Sequence, residues 1–396
     1  MSDRPRIYLD NAATSWPKPE SVYAAIDGYQ RHLGAPAGRS AYQEANEVER
    51  LIDRTRRLLA DTIHAESPQS IIFTSNGTDS LNLALHGLLR SGDHVVTSVV
   101  EHNSVLRPLR HLEQHRDVTV SRIGCDGCGR IDPDEIRAAI RPTTRLIALI
   151  HASNVTGALQ PVEAIGQIAR QHELLLLVDA AQSVGHVPVD VRSIQADLLA
   201  APGHKALMGP LGIGWLYVGP RARPHLTPVR QGGTGTQSES DIQPDSLPDR
   251  YESGNHNVPA IVGLGAGLEF LGQRGIPALR QHEQTLTDRL LDGLQNIPGI
   301  RVYGPTDRDQ RLGVVGITVD GWPPQELATV LDTAYRVQVR AGFQCAPLLH
   351  RALGTAARGG MLRLSLGAWN TTEHIDTALE ALTDLAAEPM EGSAAE

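Results

Sequence analysis

Apolar residues along this chain come in short continuous runs separated by stretches with helical spacing. Leu174 to Val178 and Leu198 to Ala201 are unbroken aliphatic runs, and a strand buried on both faces reads that way. The same pattern predicts strands over 6–9, 70–74, 94–99, 118–123 and 145–150, with a return strand over 213–218. Between them, apolar spacing predicts helices over 20–33, 78–90, 103–115, 133–140 and 161–172. A further helix runs to Ile63, and Ser40 with Gln43 three residues on forms its capping box. Strands separated by helices of this length imply parallel crossovers and a doubly wound α/β sheet.

Beyond Pro220 the pattern breaks. Residues 228–257 are rich in Gly, Ser, Pro, Gln and acids without apolar periodicity, so a long irregular loop is expected there. Helices are then predicted over 258–273 and 276–295. A smaller α+β unit follows, with strands over 300–303, 313–319, 337–340 and 361–365 and helices over 323–334 and 372–386. The expected organisation is a large domain over 15–270, a small domain made of 1–14 and 271–386, and a disordered tail over 387–396. With 396 residues the chain is long enough for two cores.

Composition narrows the class. Hydrophobic residues at 41 %, charged residues at 20 % and only three Phe describe a soluble globular protein with aliphatic packing. The net charge of −9, with no block of Lys or Arg, argues against a nucleic-acid partner. No apolar signal region follows Met1 to Arg6 and no run approaches membrane-spanning length, so a cytoplasmic protein with no membrane partner is expected. Three cysteines fit a reducing compartment. Cys125 and Cys128 form a lone C-x-x-C in a glycine-rich turn; zinc would need two more ligands, so a surface loop and no metal are expected.

Candidate chemistry gathers where predicted strands end. Asp179 closes one aliphatic run and Gly203-His204-Lys205 follows another, and ligands of open α/β sheets bind at the carboxyl ends of the strands. An acid and a lysine so placed suit pyridoxal phosphate, which needs an amine for its Schiff base and a carboxylate against its pyridine nitrogen. Ser75 to Asp79 lies between a strand and a helix, where free amides and the helix dipole favour a phosphate. His102 after one strand could stack on a pyridine ring, and Asn154 after another could donate to its phenolate oxygen.

The segments YLDNAAT at 8–14, SNGTDSLNLAL at 75–85, EHNS at 101–104, SNVTG at 153–157, VDAAQSVGH at 178–186, GHKALMGPLGIGWLY at 203–217 and RAGFQCAP at 340–347 together resemble the cysteine desulfurase family. These are class V aminotransferase-like, fold-type I pyridoxal phosphate enzymes, and the resemblance spans roughly residues 6–386. RAGFQCAP and the GGTGTQSES loop at 232–240 are more similar to the SUF-type group than to the longer-looped types. The resemblance implies that Lys205 carries the Schiff base and removes the Cα proton, that Asp179 pairs with the pyridine nitrogen and that His102 stacks on the ring. It gives Asn154 and Gln182 the phenolate oxygen, and Gly77, Thr78 and His204 the phosphate. Arg363 is implied for the substrate carboxylate, with Asn11 and Ala13 lining the substrate pocket.

Cys345 matches the cysteine that takes the substrate sulfur as a persulfide. Only a thiolate attacks, so a cation such as Arg340 is expected beside it. The implied activity is conversion of L-cysteine to L-alanine, with the sulfur passed to an acceptor protein by a homodimer in which Asn255 completes the neighbour's site. A selenocysteine lyase, another C–S lyase, an aminotransferase or epimerase on the same scaffold, and a silent scaffold protein are the alternatives. Three positions depart from the family pattern: Pro202 for a Ser or Thr, Asn255 for a Thr, and Gln344 for the His that usually precedes the cysteine.

Overall fold

The computed structural model describes residues 5–37 and 42–388. A short strand β1 (Ile7–Tyr8) leads into helices α1 (Glu20–Gly28) and α2 (Gln43–Thr62). The predicted first helix turns into a π-helical segment at Tyr29–Leu33, which Gly34 ends at φ +56°. Ser40, the predicted cap of α2, lies outside the described residues.

The alternating region follows the predicted pattern. Its elements are β2 (Ile71–Thr74), α3 (Gly77–Leu88), β3 (His94–Ser98), α4 (Asn103–His115), β4 (Thr119–Ile123), α5 (Pro133–Ala138), β5 (Thr144–Ile150), α6 (Val162–Gln171), β6 (Leu175–Asp179), β7 (Leu198–Pro202) and β8 (Gly214–Val218). The seven strands lie in the order β2-β8-β7-β6-β5-β3-β4. Only β8 runs antiparallel to its neighbours. The carboxyl ends of all the other strands therefore meet on one edge. Chain order reverses between β5 and β3, and such a reversal opens a crevice at that edge.

The aliphatic runs are continuous because both faces are covered. Leu176 and Val178 of β6 join the core that holds Ile165 of α6 and Leu264 and Leu268 of the later helix α7 (Val258–Arg274). Leu175 and Leu177 point the other way, into the core with Leu81 and Leu85 of α3 and Leu109 of α4. Each fully buried aliphatic side chain contributes about 1.5–3 kcal/mol. An alternating polar pattern in β6 would forfeit one of these two cores.

After the irregular 228–257 loop, which contains no helix or strand, α7 and α8 (Ile276–Gln295) lead to a second sheet. Its elements are β9 (Ile300–Tyr303), β10 (Val314–Val319), α9 (Pro324–Tyr335), β11 (Val337–Gln338), β12 (Arg340–Gly342), α10 (Pro347–Ala352), β13 (Met361–Ser365) and α11 (Thr372–Ala387). The sheet is antiparallel in the order β12-β13-β10-β9, while β11 pairs in parallel with β1. The single strand predicted over 337–340 is thus two, because its halves hydrogen-bond to different partners. The six-residue α10 is too short to show a helical period, and its residues gave no helical signal. Helix α11 includes Ala387, the first residue of the expected tail, and residues 389–396 lie outside the described residues. Among the described residues no helix is long and apolar enough to cross a membrane, and Cys125, Cys128 and Cys345 are free.

Candidate active site

One cavity opens at the carboxyl edge of the seven-stranded sheet. Ala13, Gly77, Thr78, His102, Asn154, Asp179, Gln182, His204, Lys205, Arg340 and Arg363 all line it. Asp179, Lys205, His102, Asn154 and the turn before α3 were expected at separate strand ends, and the sheet order makes those ends one wall.

The acid and the lysine come from adjacent strands. Asp179 is the last residue of β6 and Lys205 stands three residues past the end of the neighbouring β7. Burial pushes the Lys205 amine down to about 8, against the opposing pull of Asp179 and with the help of Arg363 and Arg340. Burial also raises Asp179, while the Ala181 amide, donating at 3.0 Å to its Oδ1, and Lys205 favour its charged form. Behind it, Glu101 is fully buried, accepts from Ser98 Oγ at 2.6 Å, and is held well above the usual carboxylate range by burial first and by Asp179. The depressed Lys205 amine sets a pH dependence. Capture of an aldehyde by the cofactor-free protein needs the neutral amine, so its rate should rise about tenfold per pH unit and level off above pH about 8. A stopped-flow pH series checks this; continued growth towards pH ~10, as for an ordinary lysine, would contradict it.

His102 caps α4. Its Nδ1 accepts from the Ser104 amide at 3.0 Å, which leaves the proton of the neutral ring on Nε2. Burial first, then Lys205 and Arg340, lowers its pKa to about 4, so the ring is uncharged at neutral pH. Ser104 Oγ is shared between His102 Nδ1 at 2.9 Å and Thr78 Oγ1 at 2.7 Å. Ser104 stood inside the EHNS segment but was given no role there, because its bond to Thr78 joins two helices that are distant in sequence.

Where α3 begins, Asn76 caps the helix by accepting from the Asp79 amide at 2.9 Å. The Gly77 and Thr78 amides donate to no group among the described residues, and both residues line the cavity. The Pro202 ring lies against Gly77: a Cβ on Gly77 would meet Pro202 Cδ at 3.2 Å. Pro202 ends β7 opposite Gly214, and the ladder continues from the Gly203 amide to Ile213 O at 2.9 Å. Proline therefore removes a hydroxyl from the wall without removing a strand hydrogen bond.

Arg363 on β13 is nearly fully buried and reaches across from the second sheet. It donates to Asp10 Oδ1 at 2.5 Å and to Asn154 O at 3.0 Å, and its Nε has no partner. Asp10, 353 residues away in sequence, was not singled out before. Asn154 Nδ2 donates to Gln344 O at 2.5 Å and Gln182 Nε2 to Ala12 O at 2.9 Å.

Three expected residues do not line this cavity. Asn11 is committed to Ser365 O at 3.1 Å and Asn370 Oδ1 at 3.2 Å, and it lines a smaller neighbouring pocket. Cys345 lies at the rim, 3.7 Å from Arg340 Nη2, and faces an outer cleft that shares Thr78, His102 and Ser104 with the cavity. Asn255 lies in a separate pocket with Ser75, Gly212 and Arg230.

The wall suits a polar, anionic ligand. Asn154 Oδ1, Gln182 Oε1, His204 Nδ1 and Arg363 Nε are buried without a partner, which in a folded protein calls for a group that supplies one. Two open amides at a helix amino terminus suit a phosphate, and a neutral imidazole suits stacking. These residues fit pyridoxal phosphate.

A doubly wound sheet with a lysine and an acid at adjacent strand ends defines a class of enzymes that do their chemistry on a lysine-bound aldehyde. The chain belongs to the aminotransferase class-V family, whose description matches residues 7–378. It is 36 % identical over 387 residues to a probable cysteine desulfurase of Methanothermobacter thermautotrophicus, covering 97 % of this chain and 95 % of the relative. A cysteine desulfurase of Klebsiella pneumoniae is 32 % identical over 390 residues, covering 96 % and 94 %. The solved apo structure of cysteine desulfurase from Thermococcus onnurineus superimposes with a TM-score of 0.90 at 32 % identity, covering 96 % of this chain and 95 % of that one.

Proposed function

We propose that this protein is a pyridoxal 5'-phosphate-dependent cysteine desulfurase that converts L-cysteine to L-alanine and holds the sulfur as a persulfide on Cys345. One observation carries the reading: Lys205 and Asp179 face the same cavity as Arg363, and a cysteine stands beside an arginine at its rim. When bound, the cofactor would supply an electron sink that acidifies the substrate Cα–H and labilises the bond to sulfur.

The residues divide the remaining work. Lys205 would hold the cofactor and, as a neutral amine, take the Cα proton. Asp179 would keep the ring nitrogen protonated, and His102 would cover one face of the ring. Asn154 and Gln182 would orient it through its phenolate oxygen. Gly77, Thr78 and His204 would seat the phosphate. Arg363 would take the substrate carboxylate with a planar guanidinium already poised between Asp10 and Asn154, beside Ala13. Cys345, 3.7 Å from Arg340 Nη2, would receive the sulfur as it leaves Cβ. Asn255, which lies outside its own cavity, would complete the neighbour's site in a homodimer. A cytoplasmic protein that passes sulfur to an acceptor protein completes the proposal.

The test is direct. Purified protein given L-cysteine and a thiol should release alanine and sulfide in equal amounts, and without the thiol should carry one extra sulfur on Cys345 by peptide mass spectrometry. Turnover of L-cysteine to any other product would refute the reading. Arg363→Lys should keep the cofactor but raise KM for L-cysteine by about 10- to 100-fold, because a lost charged hydrogen bond costs about 1.5–3 kcal/mol; steady-state kinetics checks it.

A further inference from the structure

The cysteine sits on an unusual turn. The Ala346 amide donates to Phe343 O at 2.8 Å, and the two residues between them, Gln344 and Cys345, have φ of +40° and +61°. A four-residue turn with both central residues left-handed is the type I′ pattern, which Asn and Gly normally supply. Gln and Cys both bring a Cβ close to the following carbonyl oxygen there. A conformation of that kind persists only where the surroundings over-determine it.

They do so here through both backbone and side chain. Asn154 Nδ2 donates to Gln344 O at 2.5 Å, and the Asn103 amide donates to Cys345 O at 2.7 Å. The Gln344 side chain, 2 % exposed, donates through Nε2 to Met361 O at 2.9 Å. That contact fixes the amide orientation and makes Oε1 an acceptor, 3.0 Å from His350 Nε2. His350 therefore carries its proton on Nε2, and its Nδ1 accepts from Thr355 Oγ1 at 2.8 Å. The same ring stands edge-on to Phe343, the first residue of the turn, with centroids 5.3 Å apart. A fully buried histidine thus holds the turn at two consecutive residues.

We propose that His350, acting through Gln344, is a positioning residue that locks the turn bearing Cys345. The lock keeps the thiol within reach of Arg340, so that the sulfur's path from cavity to outer cleft needs only rotation of the Cys345 side chain, not movement of the loop. This rests on the reading of Cys345 as the sulfur-accepting nucleophile. It also gives Gln344 a use: its amide carries both the donor and the acceptor that the lock requires.

The experiment uses the cofactor-loaded protein and the variants His350→Leu and His350→Gln. With His350→Leu the turn should relax: kcat should fall about tenfold or more with KM within twofold, as a misplaced reacting group demands. Cofactor absorption should be unchanged, and alkylation of Cys345 by iodoacetamide, followed without substrate, should accelerate at least threefold. His350→Gln keeps a donor towards Gln344 and should restore most of kcat and the slow alkylation. Should His350→Leu fail to fold, Gln344→Met breaks the same contact at similar volume and must give the same two changes. The proposal is overturned if a folded variant alkylates and turns over within twofold of the wild type, or if His350→Gln behaves like His350→Leu. Alkylation needs no turnover. Absence of persulfide in the wild type would therefore sink the desulfurase reading alone, while the alkylation rates would still decide the lock.

Discussion

Lys205→Ala is expected to lower alanine formation from L-cysteine by at least ~10³-fold, the upper range for loss of a positioned acid–base group, and to abolish the bound-cofactor absorption. The chain contains only two lysines, Lys18 and Lys205. Lys18 is committed outside the cavity, donating to Ser15 Oγ and His204 O at 2.7 Å each. Lys205 is partly buried on the cavity wall; desolvation brings both amines to about 8, so position and not basicity separates the two lysines. Borohydride reduction of the loaded wild-type protein followed by peptide mapping should therefore mark Lys205 and leave Lys18 unlabelled. A mark on Lys18, or a Lys205→Ala protein that retains the band, would contradict the assignment. The fold should survive the substitution, because strand β7 ends three residues earlier and the adjoining backbone is held by Ser15 Oγ donating to Lys205 O at 2.8 Å.

Cys345→Ala is the complementary case. It should leave cofactor absorption and the spectral response to L-cysteine intact, because Cys345 is at the rim and not on the cavity wall. Sulfide and alanine formation should fall by ~10²-fold or more, as expected when the nucleophile of a covalent step is removed. Assays of both products against wild type, with thiol present, check it. Undiminished alanine formation would exclude the persulfide route and favour a lyase or other reaction on the same scaffold.

Much of the site was legible because strand ends are legible. The aliphatic run Leu174 to Val178 had to be a doubly covered strand, so Asp179 had to stand at its end; the same logic placed Lys205 past Ala201. His102 and Asn154 followed from β3 and β5. What escaped were contacts between residues distant in sequence or conformations without a period. Arg363 was matched by motif, but its partner Asp10 comes from the other end of the chain. Ser104 and Thr78 meet only because α3 and α4 begin side by side at the sheet edge. Helix α10 is shorter than two turns, and nothing local foretells the left-handed pair at Gln344 and Cys345.

The sequence by itself determined which side chains stand at strand ends and what chemistry they offer, since burial on both faces of a parallel sheet writes itself into the order of apolar residues. Tertiary structure alone decided that these ends are neighbours, through the strand order β7-β6-β5-β3. It also decided that Lys205 is dry enough for its amine to be held near 8, because desolvation depends on everything packed around a group. And it decided how Cys345 is presented, because a turn that local preference disfavours is held by a histidine, an asparagine and a carbonyl from three other parts of the chain.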